Sequence, residues 1–124
     1  ATWLCEKAAD TLASEGISAE VVDLRVLNPF HPHAVAQSVA KTGRLVAVDD
    51  GWRNCGMAGE IVAAVVERIE PAALKARPAR IALPDAPAPT SRPLETAYYP
   101  TVEDVVVAAR SQLGRASGRL AKAV

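Results

Sequence analysis

The stretch Thr42-Gly43-Arg44-Leu45-Val46-Ala47-Val48-Asp49-Asp50-Gly51-Trp52-Arg53-Asn54-Cys55-Gly56-Met57-Ala58-Gly59-Glu60-Ile61 decides the fold. Thr42-Gly43 stops a helix, and Leu45 to Val48 is a short apolar run with the β-branched content of a buried strand. A loop punctuated by Gly51, Gly56 and Gly59 follows. It leads into a helix read from Glu60 to Ile69, apolar on more than one face and closed by Pro71.

Upstream, residues 3 to 15 read as a helix with Leu4, Ala8 and Leu12 on one stripe. Gly16 stands at its left-handed stop. Ala19 to Val26 (AEVVDLRV) reads as a strand too apolar to be half exposed. Asn28-Pro29-Phe30 breaks it, and Pro32 opens a helix to about Lys41 with Val35 and Val39 inward. Downstream, Arg80 to Leu83 is a third strand. Pro84 to Pro100 carries prolines at 84, 87, 89, 93 and 100, with Pro78 just before, and is expected to run extended over the surface. Thr101-Val102-Glu103-Asp104 has the form of a capping box opening a last helix, with Val105, Val106, Ala109 and Leu113 as its apolar face. Residues 114 to 124 read as a flexible basic tail after a domain spanning 1 to 113.

Helices alternating with strands imply right-handed crossovers and an α/β fold, a mostly parallel sheet between two helical layers. The first helix lacks a preceding strand, so the sheet is expected to miss a member that a longer polypeptide would supply. The chain of 124 residues fits one domain. Half its residues are hydrophobic, 25 of the 124 being Ala against 15 Val, a mixture suited to close-packed helices on a valine-rich sheet. Fourteen basic residues balance fourteen acidic ones, so no overall field draws the chain to nucleic acid or to a membrane surface. No apolar run is long enough to span a bilayer. With two distant cysteines, Cys5 and Cys55, and no disulfide framework, a reducing cytoplasm is the expected setting.

Chemistry-bearing motifs are sparse. Gly51, Gly56 and Gly59 do not spell the dinucleotide fingerprint, and no Gly-Lys-Ser/Thr closes a phosphate loop. Two readings stand for this loop: glycines that let backbone pack closely under a neighbouring subunit, or an anion site at the helix start. Asp49 and Asp50 point in different directions and read as a structural tie to Arg53 or to backbone amides. His31 and His33 lack a third metal ligand at suitable spacing, and the two cysteines read as buried thiols. Neither a catalytic set nor a cofactor or metal site emerges. Trp52 beside glycines reads as an interface anchor, with a buried core tryptophan as the rival.

Several ordered motifs resemble the transketolase-type C-terminal domain. Glu15-Gly16-Ile17 with Glu20-Val21 and Asp23-Leu24-Arg25, Lys41-Thr42-Gly43-Arg44-Leu45-Val46, Asp49-Asp50-Gly51-Trp52 and Gly56-Met57-Ala58-Gly59-Glu60-Ile61 are similar to that family's segments. Pro84-Asp85-Ala86-Pro87-Ala88-Pro89, Pro93-Leu94-Glu95 and Pro100-Thr101-Val102-Glu103-Asp104 continue the likeness to about residue 113. Trp52 and the D-x-P-x-P pattern favour the beta chains of thiamine-diphosphate-dependent 2-oxoacid dehydrogenases acting on pyruvate, branched-chain oxoacids or acetoin. The resemblance implies an enzyme that decarboxylates a 2-oxoacid on thiamine diphosphate with Mg and passes the acyl group to a lipoyl arm. In such enzymes other domains hold the cofactor. This domain assembles the oligomer with the alpha chain and a second beta chain, and docks on the acyltransferase core. The residues expected to make such contacts in this chain are Trp52, Arg53, Gly56 and Gly59 in the loop, with Pro87, Pro89, Leu94 and Glu95 in the extended segment. Sister thiamine enzymes of transketolase or deoxyxylulose-phosphate synthase type, and an independent anion-binding module, are the alternatives. His31-Pro32-His33 departs from the family's commoner acidic helix start.

Overall fold

A computed structural model describes residues 1–114 of the chain. The order of elements is α1 (Thr2–Ser14), α2 (His33–Thr42), β1 (Val46–Trp52), α3 (Met57–Val66), β2 (Ala79–Leu83), α4 (Arg92–Tyr98) and α5 (Val102–Gln112), with a 3-10 turn at Pro71–Ala73. Among the described residues the sheet is the parallel pair β1–β2, with Val46 opposite Ala79 and Val48 opposite Ile81 before the register shifts toward Trp52.

Alternation along the strands sends side chains to two faces, and each face is covered by helices. Leu45 and Ala47 pack with Val35 and Val39 of α2 and Ala58, Ile61 and Val65 of α3. Val48 and Ile81 lie against the opposite layer, where Ala8 and Leu12 of α1 meet Val105 and Val106 of α5. This is the expected α/β layering, carried by a sheet one strand narrower than read.

Helix ends follow local chemistry. Gly16 takes φ +76°, and the amides of Ile17 and Gly16 donate to the Leu12 and Ala13 carbonyls at 2.9 and 3.0 Å. That is the pattern of a Schellman close, with Ile17 packed in the same cluster as Leu12. At α5 the reciprocal capping box forms: Asp104 N–H donates to Thr101 Oγ1 at 3.3 Å, and Thr101 N–H donates to Asp104 Oδ2 at 2.8 Å. Arg110 of α5 forks onto the Glu15 carboxylate, its Nε donating at 3.0 Å, and reaches Glu103 at 3.4 Å. The last helix is thereby tied to the end of the first.

Three expectations need correction. Residues 19–26 are not a strand: Val22 and Leu24 are half-buried while Val21, Asp23 and Arg25 are exposed, the alternation of a strand, yet among the described residues no ladder partner lies beside them. Strand propensity without a partner leaves backbone groups unpaired, so periodicity alone did not suffice. Pro84 to Pro100 is not extended throughout, because α4 occupies Arg92–Tyr98. Pro93 falls in the first turn, the one place where a helix tolerates proline, and no other proline follows until Pro100. The third helix starts at Met57 and ends at Val66, earlier at both ends than read. The basic tail expected at 114–124 lies, from residue 115 on, outside the described residues.

Candidate functional site

The loop after β1 sits at the carboxyl end of the strands, where α/β sheets place their functional loops. Its geometry is set by Asp49. The Asp49 carboxylate accepts from Gly51 N–H at 3.0 Å and from Ala58 N–H at 3.1 Å, so a strand residue caps the first turn of α3 from across the loop. Gly56, at the cap position itself, has no side chain to do so. A Cβ there would stand 2.1 Å from the Trp52 carbonyl oxygen, which makes glycine obligatory at this close approach. The closeness is therefore within the chain's own loop. Gly59 has only an ordinary contact with Arg80 to offer a Cβ. Asp49 ties backbone amides, as its sequence context suggested, and the Ala58 amide that an external anion would seek already has a carboxylate on it.

The rest of the loop is bolted to β2 and to the segment after it. Arg53 N–H donates to the Leu83 carbonyl at 2.8 Å. The Arg53 and Arg80 guanidiniums each donate to the other's backbone carbonyl, at 3.3 and 3.1 Å. The Asp85 carboxylate accepts from both the backbone and side-chain amide of Asn54, at 3.1 and 2.6 Å. These cross-links join the glycine loop to the start of the proline-rich segment. Nothing in the sequence spacing exposed the Asn54–Asp85 pair. Downstream, the Tyr98 hydroxyl donates to the Ala86 carbonyl at 2.6 Å and folds α4 back over the segment.

Of the residues singled out from sequence, Trp52 is 56% exposed and Leu94 61% exposed, so the core reading of Trp52 fails. Arg53, Pro87 and Glu95 are exposed, and Gly56, Gly59 and Pro89 half-buried. Trp52, Arg53 and Gly56 share the loop. The clasp to Asp85 connects that loop to the segment bearing Pro87 and Pro89, and Leu94 and Glu95 follow on α4. Cys55, read as a buried thiol, is exposed and holds φ +59°. Cys5 is half-buried on α1, and burial pushes its thiol pKa up. His31 and His33 are exposed, and among the described residues no group of three His, Cys, Asp or Glu side chains forms a metal-ligand set. No helix among them is long and apolar enough to cross a membrane.

A two-faced α/β layer whose strand-end loop is locked to its own backbone and lifts a tryptophan into solvent defines a class: a domain with a rigid, aromatic-bearing edge. The chain belongs to the transketolase C-terminal domain family, whose model (Transketolase, C-terminal domain) matches residues 2–105. It is 43% identical over 107 residues to the beta subunit of acetoin:2,6-dichlorophenolindophenol oxidoreductase from Cupriavidus necator, covering 86% of this chain and 31% of that one. It is 44% identical over 99 residues to the mitochondrial pyruvate dehydrogenase E1 component subunit beta of Ascaris suum, covering 80% and 27%. Against the Bacillus subtilis pyruvate dehydrogenase E1 component subunit beta the figure is 40% over 107 residues, covering 86% and 32%. The chain thus spans about a third of the length of these relatives.

Proposed function

We propose that this chain is the C-terminal assembly domain, residues 1 to 113, of the beta chain of a thiamine-diphosphate-dependent 2-oxoacid dehydrogenase. The carrying observation is its identity of 40% or more to beta subunits of pyruvate dehydrogenase and acetoin oxidoreductase across at least four fifths of its length. In this reading thiamine diphosphate and Mg are bound by the rest of the enzyme. The domain's own work is contact with the alpha chain, a second beta chain and the acyltransferase core. Trp52, Arg53, Pro87, Leu94 and Glu95 would make that contact directly. Gly56 lets the loop close beneath Trp52, and Gly59 and Pro89 shape the edge. Two exposed apolar side chains on rigid backbone support this, because anchors that lose little conformational freedom on docking bind best. The cytoplasm is the proposed compartment, and its alternative is the mitochondrial setting named for several relatives.

The test is co-expression of the beta chain carrying this domain with its candidate alpha chain, followed by 2-oxoacid-dependent dye reduction with thiamine diphosphate and Mg. Activity that needs both chains and falls when Trp52 and Leu94 are both changed to Ala supports the reading. Activity from the beta chain alone, or a complex indifferent to both substitutions, overturns it. Calorimetry of the isolated 124-residue chain with thiamine diphosphate and Mg is expected to show no binding.

A further inference from the structure

Strand β2 has one free edge, since β1 is its sole strand neighbour among the described residues. Ala79 N–H donates to Leu45 O at 2.9 Å and Leu83 O accepts from Arg53 N–H at 2.8 Å, so the odd residues of β2 turn their backbone toward β1. The even residues, Arg80 and Ala82, turn theirs outward. Such an outward row of N–H and C=O groups is a template for another strand, and apart from Arg80 the side chains of β2 are apolar. Three features stand on this edge. Pro78 and Pro84 flank the strand at even positions, where an amide would point outward, so no ladder can run past either end. Arg53 Nη1 donates at 3.3 Å to Arg80 O, one of the two outward carbonyls. Arg80 Nη1 donates back to Arg53 O at 3.1 Å and lies 3.4 Å from where a Gly59 Cβ would stand, which holds the second guanidinium beside the same edge at the start of α3. Neither guanidinium pairs with a carboxylate among the described residues.

We infer that the crossed pair Arg53–Arg80 is a guard that shuts the β2 edge against strand addition by a second copy of this chain. An incoming strand must first displace Arg53 from the Arg80 carbonyl, a charge-assisted hydrogen bond. A second copy of β2 would also bring its own two guanidiniums against the first two, and like charges across neighbouring strands oppose pairing. With the prolines at both ends, what the edge still offers is short: the amides of Arg80 and Ala82 and the Ala82 carbonyl. The guard thus combines the two means by which sheet edges resist pairing, charge and proline, on the one strand that needs them. Arg53 carries several N–H donors and spends one on Arg80, so the guard leaves it able to meet a different partner chain as well. Nothing in this role depends on the enzymatic reading.

The test uses the full beta chain that carries this domain. Arg53→Ala combined with Arg80→Val removes both charges and frees the carbonyl. Self-association of that variant, read by light scattering over a dilution series, is expected to tighten at least about tenfold, the factor that one displaced charge-assisted bond represents. Amide exchange at positions 80 and 82 should slow with rising concentration in the variant, and stay fast and indifferent to concentration in the native chain. Adding Ala82→Pro should abolish the association, because that amide points away from β1 and the native ladder survives its loss. Arg53→Ala alone changes an exposed side chain and is expected to shift association in the same direction by less, which keeps the test open should the double variant not fold. No shift in mass or exchange in either variant, association that persists with Ala82→Pro, or slow exchange of amides 80 and 82 in the native chain would overturn the inference. The enzymatic reading is untouched by any of these results, because it is read by dye reduction in the two-chain complex.

Discussion

Replacing Asp49 by Ala removes two hydrogen bonds at once and leaves the α3 start without a cap. The Ala58 bond is a cap in all but chain position, and losing a cap costs about 0.5–2 kcal/mol. The Gly51 bond to the same half-buried carboxylate adds about 1 kcal/mol, and the loss of negative charge at a helix start a few tenths more. The sum is about 2–3 kcal/mol, and each 1 kcal/mol moves the melting temperature of a domain this size by roughly 4 °C. Thermal and urea unfolding of Asp49→Ala should show that loss, with Asp49→Asn intermediate because one acceptor oxygen remains. A second substitution sharpens the test. Gly56→Ser puts a good capping residue at the cap position of α3, yet its Cβ would meet the Trp52 carbonyl at 2.1 Å. It should therefore worsen the Asp49→Ala chain. A loss under about 0.5 kcal/mol for Asp49→Ala, the range of a neutral surface change, would refute the remote cap. Rescue by Gly56→Ser would refute the close approach.

Other substitutions separate contact from fold. Trp52→Ala should leave the melting temperature nearly unchanged, since the ring is more than half exposed, while weakening association with the partner chain about tenfold or more by titration. Thr101→Ala opens the α5 capping box and should lower stability by about 1 kcal/mol in urea unfolding. The thiols differ in reactivity: at mildly alkaline pH a disulfide reagent should modify exposed Cys55 well before Cys5, whose burial holds its proton. Since the folded Cys5 pKa lies above the ordinary 9.0, its contribution to stability is complete below that value and is lost as pH rises through the folded one. Unfolding midpoints should fall in that alkaline range for the native chain, and fall less for Cys5→Ala.

Much of the architecture was readable because local signals agreed with one another. Gly16 and Thr101-Asp104 fixed helix boundaries through chemistry confined to a few residues, and both ends formed as read. Residues 19–26 misled because a strand is a property of a pair: the side-chain pattern is a strand's, and among the described residues no partner stands beside it. The proline count over 84–100 misled differently, since averaging hid that Pro93 sits in a tolerated first-turn position and leaves five further residues free to coil. At the candidate site, the glycines beside Trp52 left exposure and a core position both open, and the folded chain exposes the ring. The Asp49–Ala58, Arg53–Arg80 and Asn54–Asp85 links join residues brought close only by the folded chain, and no periodicity announces them.

The pairing of α1 with α5, clamped by Arg110 on Glu15, also bears on how the polypeptide is made. Within this domain α1 is synthesised before the other helices, and it carries Leu12, whose burial partner Val106 follows about 90 residues later. At roughly 5–20 residues per second, the apolar stripe of α1 waits on the order of 10 s before its cover is synthesised. During that interval α2, β1, α3 and β2 can close around their own cluster, while α1 stays an exposed amphipathic helix. Nascent chains should therefore attract chaperones at α1 and release them only once α5 clears the exit tunnel.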